Sequence, residues 1–130
     1  MMTKRKGYPV YPLTNAQKFH LFYQSFCPKK EVVNIGTSLT IGMELDIDVL
    51  KESIYKAYDR CESMRIRFAK DKEGNWYQYI VDKEEREIEY VDFTGKTMEE
   101  ANAIMTEWTR VPFKQIDSPM NRIVMIKTPE

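Results

Sequence analysis

The sequence predicts an α+β fold, an α/β sandwich in which helices pack on a mixed β-sheet. Three observations carry this reading. Runs in which large and small side chains alternate, the period of a strand, are interleaved with runs whose apolar residues recur at the helical period. Two tetrads of the form Thr-x-x-Gln/Glu, Thr14 with Gln17 and Thr97 with Glu100, stand where helices would begin. The 130 residues, 42% hydrophobic and 31% charged, suffice for one core and lack the apolar poverty of a disordered chain.

Thr14 opens the first helix, its hydroxyl and the Gln17 amide satisfying N–H groups that a helix start leaves without partners. Ala16, Phe19, Phe22 and Tyr23 then form one stripe, and Pro28 marks the end. From Val33 through Ile35, Thr37, Leu39, Ile41 and Met43, larger side chains alternate with Asn34, Gly36, Ser38, Thr40 and Gly42. That is the pattern of a strand with one buried face and a small face suited to close covering. Asp46 or Asp48 caps a second helix, whose stripe of Leu50, Ile54, Ala57, Tyr58 and Cys61 is expected to pack on that strand. Met64, Ile66 and Phe68 alternate again and should face the core, with Arg65 and Arg67 on the opposite side. Turn formers at 71–75 lead into a returning strand over 76–81, a β-hairpin. A charged connection precedes a short strand at 88–91, and Thr97 opens a helix carrying Met98, Ala101, Ile104, Met105 and Trp108. Residues 123–126 read as a final buried strand. No repeat, low-complexity tract or linker divides the chain, so residues 1–10 are taken as an N-terminal tail and 11–130 as one body.

Several functions are excluded or disfavoured by the same residues. Twenty basic against twenty acidic side chains leave no net field to attract polyphosphate. The one basic run, Lys4-Arg5-Lys6, contains no aromatic residue and reads as solvated, so no nucleic-acid role is assigned. No stretch approaches the ~20 apolar residues of a membrane span and no signal-peptide core is present, which leads to the expectation of a cytoplasmic protein off the membrane. Cys27 and Cys61 are too few and too distant for a metal knuckle or a disulfide framework and are expected to be reduced thiols. Triad chemistry requires a nucleophile beside a histidine, and the only histidine, His20, lies within the first helix. Asp46 with Asp48 reads as a helix start, and Glu84 with Glu85 as a solvated turn. The five glycines are scattered and form no phosphate loop. No catalytic and no metal-binding residue is assigned.

Three segments carry a family resemblance. Thr14-Asn15-Ala16-Gln17, preceded by Tyr11-Pro12-Leu13, resembles the first signature of condensation domains, Ser/Thr-x-Ala-Gln. Arg60-Cys61-Glu62-Ser63-Met64-Arg65-Ile66-Arg67-Phe68 is similar to the second, Arg-His-Glu-x-Leu-Arg-Thr-x-Phe, at the end of the second helix and the start of the next strand. The stretch 112–122, Pro-Phe-Lys followed by Pro-Met-Asn-Arg, resembles the Pro-Phe-Asp and Pro-Leu-x-Arg that lead into the central strand. The resemblance spans residues 8–127, with Cys61, Ile66 and Lys114 as departures.

The chain thereby resembles the N-terminal lobe of a condensation domain of nonribosomal peptide synthetases, in the chloramphenicol-acetyltransferase-like superfamily. Such a domain has two similar lobes with a tunnel between them, and the resemblance implies a partner lobe in addition to this one. In complete domains the second histidine of a His-His-x-x-x-Asp-Gly motif assists attack of an amine on a thioester. Both substrates hang on carrier proteins by phosphopantetheine, so carrier proteins are implied partners and no cofactor is bound directly. Of the signature residues Thr14, Ala16, Gln17, Arg60, Glu62, Arg65 and Phe68, the resemblance gives Arg65 a structural role: pairing with the motif aspartate to support the catalytic loop. The alternative for Arg65 is a strand-end surface charge.

The family motif would follow Arg122 and does not occur within the 130 residues. The expectation is therefore a fragment of an amide-forming acyltransferase, inactive by itself. The competing expectation is a non-catalytic module that binds a carrier protein or another partner. In the family the strand at 123–127 pairs with the strand bearing the histidines, so an apolar edge is expected here, and with it a homo-oligomer.

Overall fold

The computed structural model describes residues 1–129. Two short antiparallel strands come first, β1 (Lys4–Arg5) and β2 (Tyr8–Pro9). Lys6 and Gly7 join them with φ of 48° and 87°, the left-handed pair that a type I′ hairpin turn requires. The chain continues through β3 (Tyr11–Pro12), α1 (Asn15–Phe26), a 3₁₀ turn (Lys30–Val33) and α2 (Ile47–Arg60). A second 3₁₀ turn (Glu62–Arg65) then leads into β4 (Ile66–Lys70) and β5 (Trp76–Ile80), followed by β6 (Glu89–Asp92), α3 (Met98–Thr109) and β7 (Val124–Lys127).

Local chemistry sets these boundaries. Both capping boxes form: Thr14 Oγ1 accepts from the Gln17 amide while Gln17 Oε1 accepts from the Thr14 N–H, and Thr97 with Glu100 repeats the exchange. Asp46 caps α2 by accepting from the N–H groups of Asp48 and Val49. In the β4–β5 turn the Asp71 carboxylate accepts from the N–H groups of Glu73 and Asn75, while Gly74 takes φ of 92°.

β5 is the centre of an antiparallel sheet in the order β3-β5-β4, with Phe68 opposite Gln78. β6 and β7 pair in parallel, and α3 supplies the crossover that a parallel pair needs. α2 lies against this second sheet. Tyr58, 1% exposed, meets Ile88 and Met125 there, flanked by Leu50, Ile54, Met64 and Ile123. Burial of these apolar surfaces at about 25 cal/mol per Å² is the main force holding the element in place.

Several expectations are corrected. Residues 33–43 do not form a strand: Val33 closes the 3₁₀ turn, and among the described residues no strand pairs with residues 34–43. A strand needs a neighbour to satisfy its N–H and C=O groups, and alternation alone cannot supply one. Ile35 stands 95% exposed, and α2 packs instead on Ile88, just before β6, and on Met125 of β7. The aromatic stripe of α1 faces outward, with Phe19, Phe22, Tyr23 and Phe26 exposed and Gln24 buried. Arg65 and Arg67 are buried too, so this segment is covered on both sides; Arg65 lies in the 3₁₀ turn, where strand alternation does not apply. The acidic connection is not wholly solvated, because Glu84 is 5% exposed and pairs with Arg67. The basic run also has structure, with Arg5 bound to Asp117.

Candidate functional site

The two N-terminal signatures meet on the antiparallel sheet. Gln17, fixed by the α1 capping box, donates from Nε2 to Gln78 Oε1 at 2.7 Å, and Gln78 donates in turn to the Pro12 carbonyl at 2.9 Å. Gln78 lies opposite Phe68 in the ladder, so one residue of β5 links the Thr14–Gln17 segment to the Arg60–Phe68 segment. Phe68 is buried and meets Trp76 edge to face at 6.5 Å. Thr14 serves as a cap, while Ala16, Arg60 and Glu62 are exposed.

Arg65 is 8% exposed and acts as a tie rod. Its Nη1 donates to the carbonyls of Tyr58 and Asp59 at 2.5 and 2.7 Å, and its Nε to the carbonyl of Val81 at 2.9 Å. The last turn of a helix leaves carbonyls without partners and carries partial negative charge, so a guanidinium there is favourable twice over. The reading of Arg65 as a surface charge is thereby overturned. Nη2 makes no hydrogen bond with the described residues.

A second polar network was not foreseen from the sequence. Arg67 Nη2 donates to Glu84 Oε2 at 2.7 Å, with the Arg67 and Glu84 side chains 8% and 4% exposed, and Arg86 Nε lies 3.7 Å from the other Glu84 oxygen. Arg86 also donates to the Tyr58 hydroxyl and to Asn121 Oδ1, and its guanidinium stacks on the Tyr58 ring at 5.1 Å. Tyr58 donates to Asn121 Oδ1 at 2.6 Å, and Asn121 Nδ2 donates to the Met64 carbonyl at 3.0 Å. Burial raises the Tyr58 hydroxyl above the usual phenol range, with Arg86 opposing it. With both Glu84 oxygens facing arginines, this network is built to hold α2, β4 and the 112–122 loop together. It borders an open cleft of about 380 Å³ lined by Tyr8, Arg67, Val81, Glu84 and Arg86. Only charge at strand positions, where one face should be apolar, hinted at it.

The other residues singled out in the sequence lie apart from this network. His20 is exposed and meets Phe19 edge to face, at 5.9 Å between ring centres. Asp46 is a cap, Cys27 and Cys61 are free thiols, and among the described residues no cluster of three His, Cys, Asp or Glu could hold a metal. No helix among them is long and apolar enough to cross a membrane.

Known proteins resolve what this scaffold is. Residues 8–130 match the family model described as the condensation domain. A linear gramicidin synthase polypeptide of Brevibacillus parabrevis is 28% identical over 92% of this chain, and a surfactin synthase polypeptide of Bacillus subtilis (strain 168) is 29% identical over 81%. The chain spans only 2% and 3% of those proteins. Among solved structures, the first condensation domain of the calcium-dependent antibiotic synthetase matches with a TM-score of 0.73 and 25% identity, over 85% of this chain and 27% of that one. The starter condensation domain of the rhizomide synthetase, in complex with C8-CoA, matches with a TM-score of 0.74 and 20% identity, over 91% and 28%. The fold is thus the α+β, chloramphenicol-acetyltransferase-like one, over rather more than a quarter of such a domain. The chain belongs to the condensation domain family of nonribosomal peptide synthetases.

Proposed function

We propose that residues 11–130 form the body of the first lobe of a condensation domain, which in complete form joins carrier-protein-bound acyl or aminoacyl thioesters to an amine. The amine nitrogen attacks the thioester carbonyl, an amide C–N bond forms, the C–S bond breaks, and the pantetheine thiol leaves with the proton lost by the amine. These 130 residues do not perform that step alone. Their one histidine is exposed on α1, and a general base must come within about 3 Å of the proton it takes. The reaction requires phosphopantetheine on the carrier proteins and no cofactor on this chain, and it takes place in the cytoplasm.

The observation that carries the reading is the state of the second signature. Arg65 is buried, three of its N–H groups are spent on backbone carbonyls, and Nη2 is left over. A guanidinium so fixed is ready to take one carboxylate oxygen, the support that the resemblance gives to the catalytic loop. The test is formation of a dipeptidyl thioester from two loaded carrier proteins. The isolated chain should give none above background. Grafted in place of the matching quarter of an active condensation domain it should give product, and Arg65→Ala in the graft should slow turnover roughly tenfold or more, a loss of at least about 1.4 kcal/mol. Activity of the isolated chain that vanishes with His20→Ala would overturn the reading.

The exposed aromatics of α1 favour a second reading, a non-catalytic module that binds a carrier protein through its surface. Saturable binding of a carrier protein to the isolated chain, together with inactivity of the graft, would select it.

A further inference from the structure

We propose that the N-terminal hairpin is a strap that holds residues 112–118 against the edge of β4, and that its release loosens this segment without unfolding the lobe. The edge segment adds to the sheet by a single bridge. Ile116 pairs in parallel with Phe68, and the Asp117 N–H donates to the Phe68 carbonyl at 2.8 Å. One bridge leaves most of the segment's backbone without a ladder, so something else must keep it in place.

Side chains of the hairpin do this at Asp117, while Arg122 lies over the Phe113 ring at 4.3 Å and Gln115 bonds Gln24. Arg5 grips the Asp117 carboxylate with both arms of its fork, Nε to Oδ1 at 3.0 Å and Nη2 to Oδ2 at 2.5 Å. Lys6 Nζ stands 3.9 Å from Oδ2. Tyr79 donates to Oδ1 at 2.9 Å and stacks on Tyr8 of the same hairpin, with ring centres 6.0 Å apart. The hairpin therefore meets the segment directly through Arg5 and Lys6, and indirectly through Tyr8 on Tyr79.

Backbone conformation points to the same place. Among the described residues, the only non-glycine residues with positive φ are Lys6, at 48°, and Asp117, at 56°. They face each other across this contact. Left-handed backbone costs a non-glycine residue energy, and it persists where surrounding contacts over-determine it. The hairpin turn accounts for Lys6, whereas Asp117 is held in this conformation by Arg5 and Tyr79.

The far end of the loop is held independently. Asn121 is fixed by Tyr58, Arg86 and the Met64 carbonyl, so β7 keeps its entry point when the strap lets go. Upstream, Gln115 Nε2 donates to Gln24 Oε1 at 2.7 Å across a cleft of about 710 Å³ that Leu21, Phe22, Lys70 and Trp76 also line. Freeing the segment would open that cleft on one side. The strap thus couples the N-terminal residues to the shape of a groove beside α1.

Hydrogen–deuterium exchange on the full chain tests this, with Arg5→Gln to remove the fork and Asp117→Asn to remove the charge while keeping a residue that tolerates left-handed backbone. Arg5 is about one-third exposed, which weakens the pair by screening. The Arg5→Gln chain should exchange roughly three- to tenfold faster at residues 112–118, including the Asp117 amide, with smaller changes for Asp117→Asn. Exchange in α2, β6 and β7 should be unchanged. About 1 M salt should reproduce part of the effect in the unmodified chain. Unchanged exchange at 112–118 in Arg5→Gln, or an equal rise in α2 and β7, would overturn the proposal. Neither result bears on whether the lobe supports condensation, which the graft reads separately.

Discussion

The helices α1 and α2 begin alike and end up opposite. Each opens on a side-chain cap, Thr14 for α1 and Asp46 for α2, and each carries an apolar stripe at helical spacing. The stripe of α2 is spent in the core, where Tyr58 touches Ile88 and Met125. The stripe of α1 stays largely exposed, its rings meeting mainly one another: Phe22 is 63% exposed and meets Phe26, and the helix attaches instead through Gln17 to Gln78 and through Gln24 to the Lys30 carbonyl and Gln115. A stripe therefore identifies a face that gains by burial, and only a neighbour of suitable shape determines whether burial occurs. For α2 that neighbour is Ile88 together with Met125 of β7. For α1 the proposal of a complete condensation domain supplies one, since the chain accounts for little more than a quarter of such domains.

The contrast is sharpest in stability. Tyr58→Ala should cost about 3–5 kcal/mol through lost apolar transfer and the cavity left behind, enough to unfold a marginal lobe. Chemical denaturation of the isolated chain measures it, and a loss below about 1 kcal/mol would mean that α2 is not seated as described. Next in size is Arg67→Met, which leaves Glu84 buried beside Arg86 alone. Breaking a buried pair costs about 3–5 kcal/mol when nothing compensates. Because Arg86 remains near Glu84, we expect about 2–3 kcal/mol, with most of it recovered in the double variant Arg67→Met/Glu84→Leu. A double variant no more stable than the single would show that the charge was never the problem.

Smaller effects belong to α1. Thr14→Ala removes the cap and should cost about 1 kcal/mol, because the Gln17 N–H loses its acceptor. Phe22→Ser and Phe26→Ser should each change stability by less than about 0.5 kcal/mol, as exposed positions do. Should either exceed about 1 kcal/mol, the stripe would be packed in solution, and light scattering over a concentration series would then distinguish packing between copies through α1 from the homo-oligomer expected through the edge at 123–127.

Element by element, the features legible in advance arise from local chemistry. Thr14 and Thr97 announce helix starts because the capping exchange involves only residues three apart, and the β4–β5 hairpin is legible because Asp71, Gly74 and Asn75 encode its turn locally. The family, too, was legible, through Thr14–Gln17 and Arg60–Phe68. The segment 33–43 shows the limit of this. Its alternation is as regular as that of β4, yet it forms no strand, because strand formation depends on a partner distant in sequence. The buried polar groups were equally out of reach. Arg67 meets Glu84 across 17 positions, Tyr58 meets Asn121 across 63 and Arg5 meets Asp117 across 112. The sequence by itself determined where helices and turns start, the class of the fold and the kinship of the chain. The tertiary structure alone decided which faces are buried and which charges are paired. Capping and turn formation are settled within a few residues, whereas burial and ion pairing depend on which distant segments the folded chain brings together.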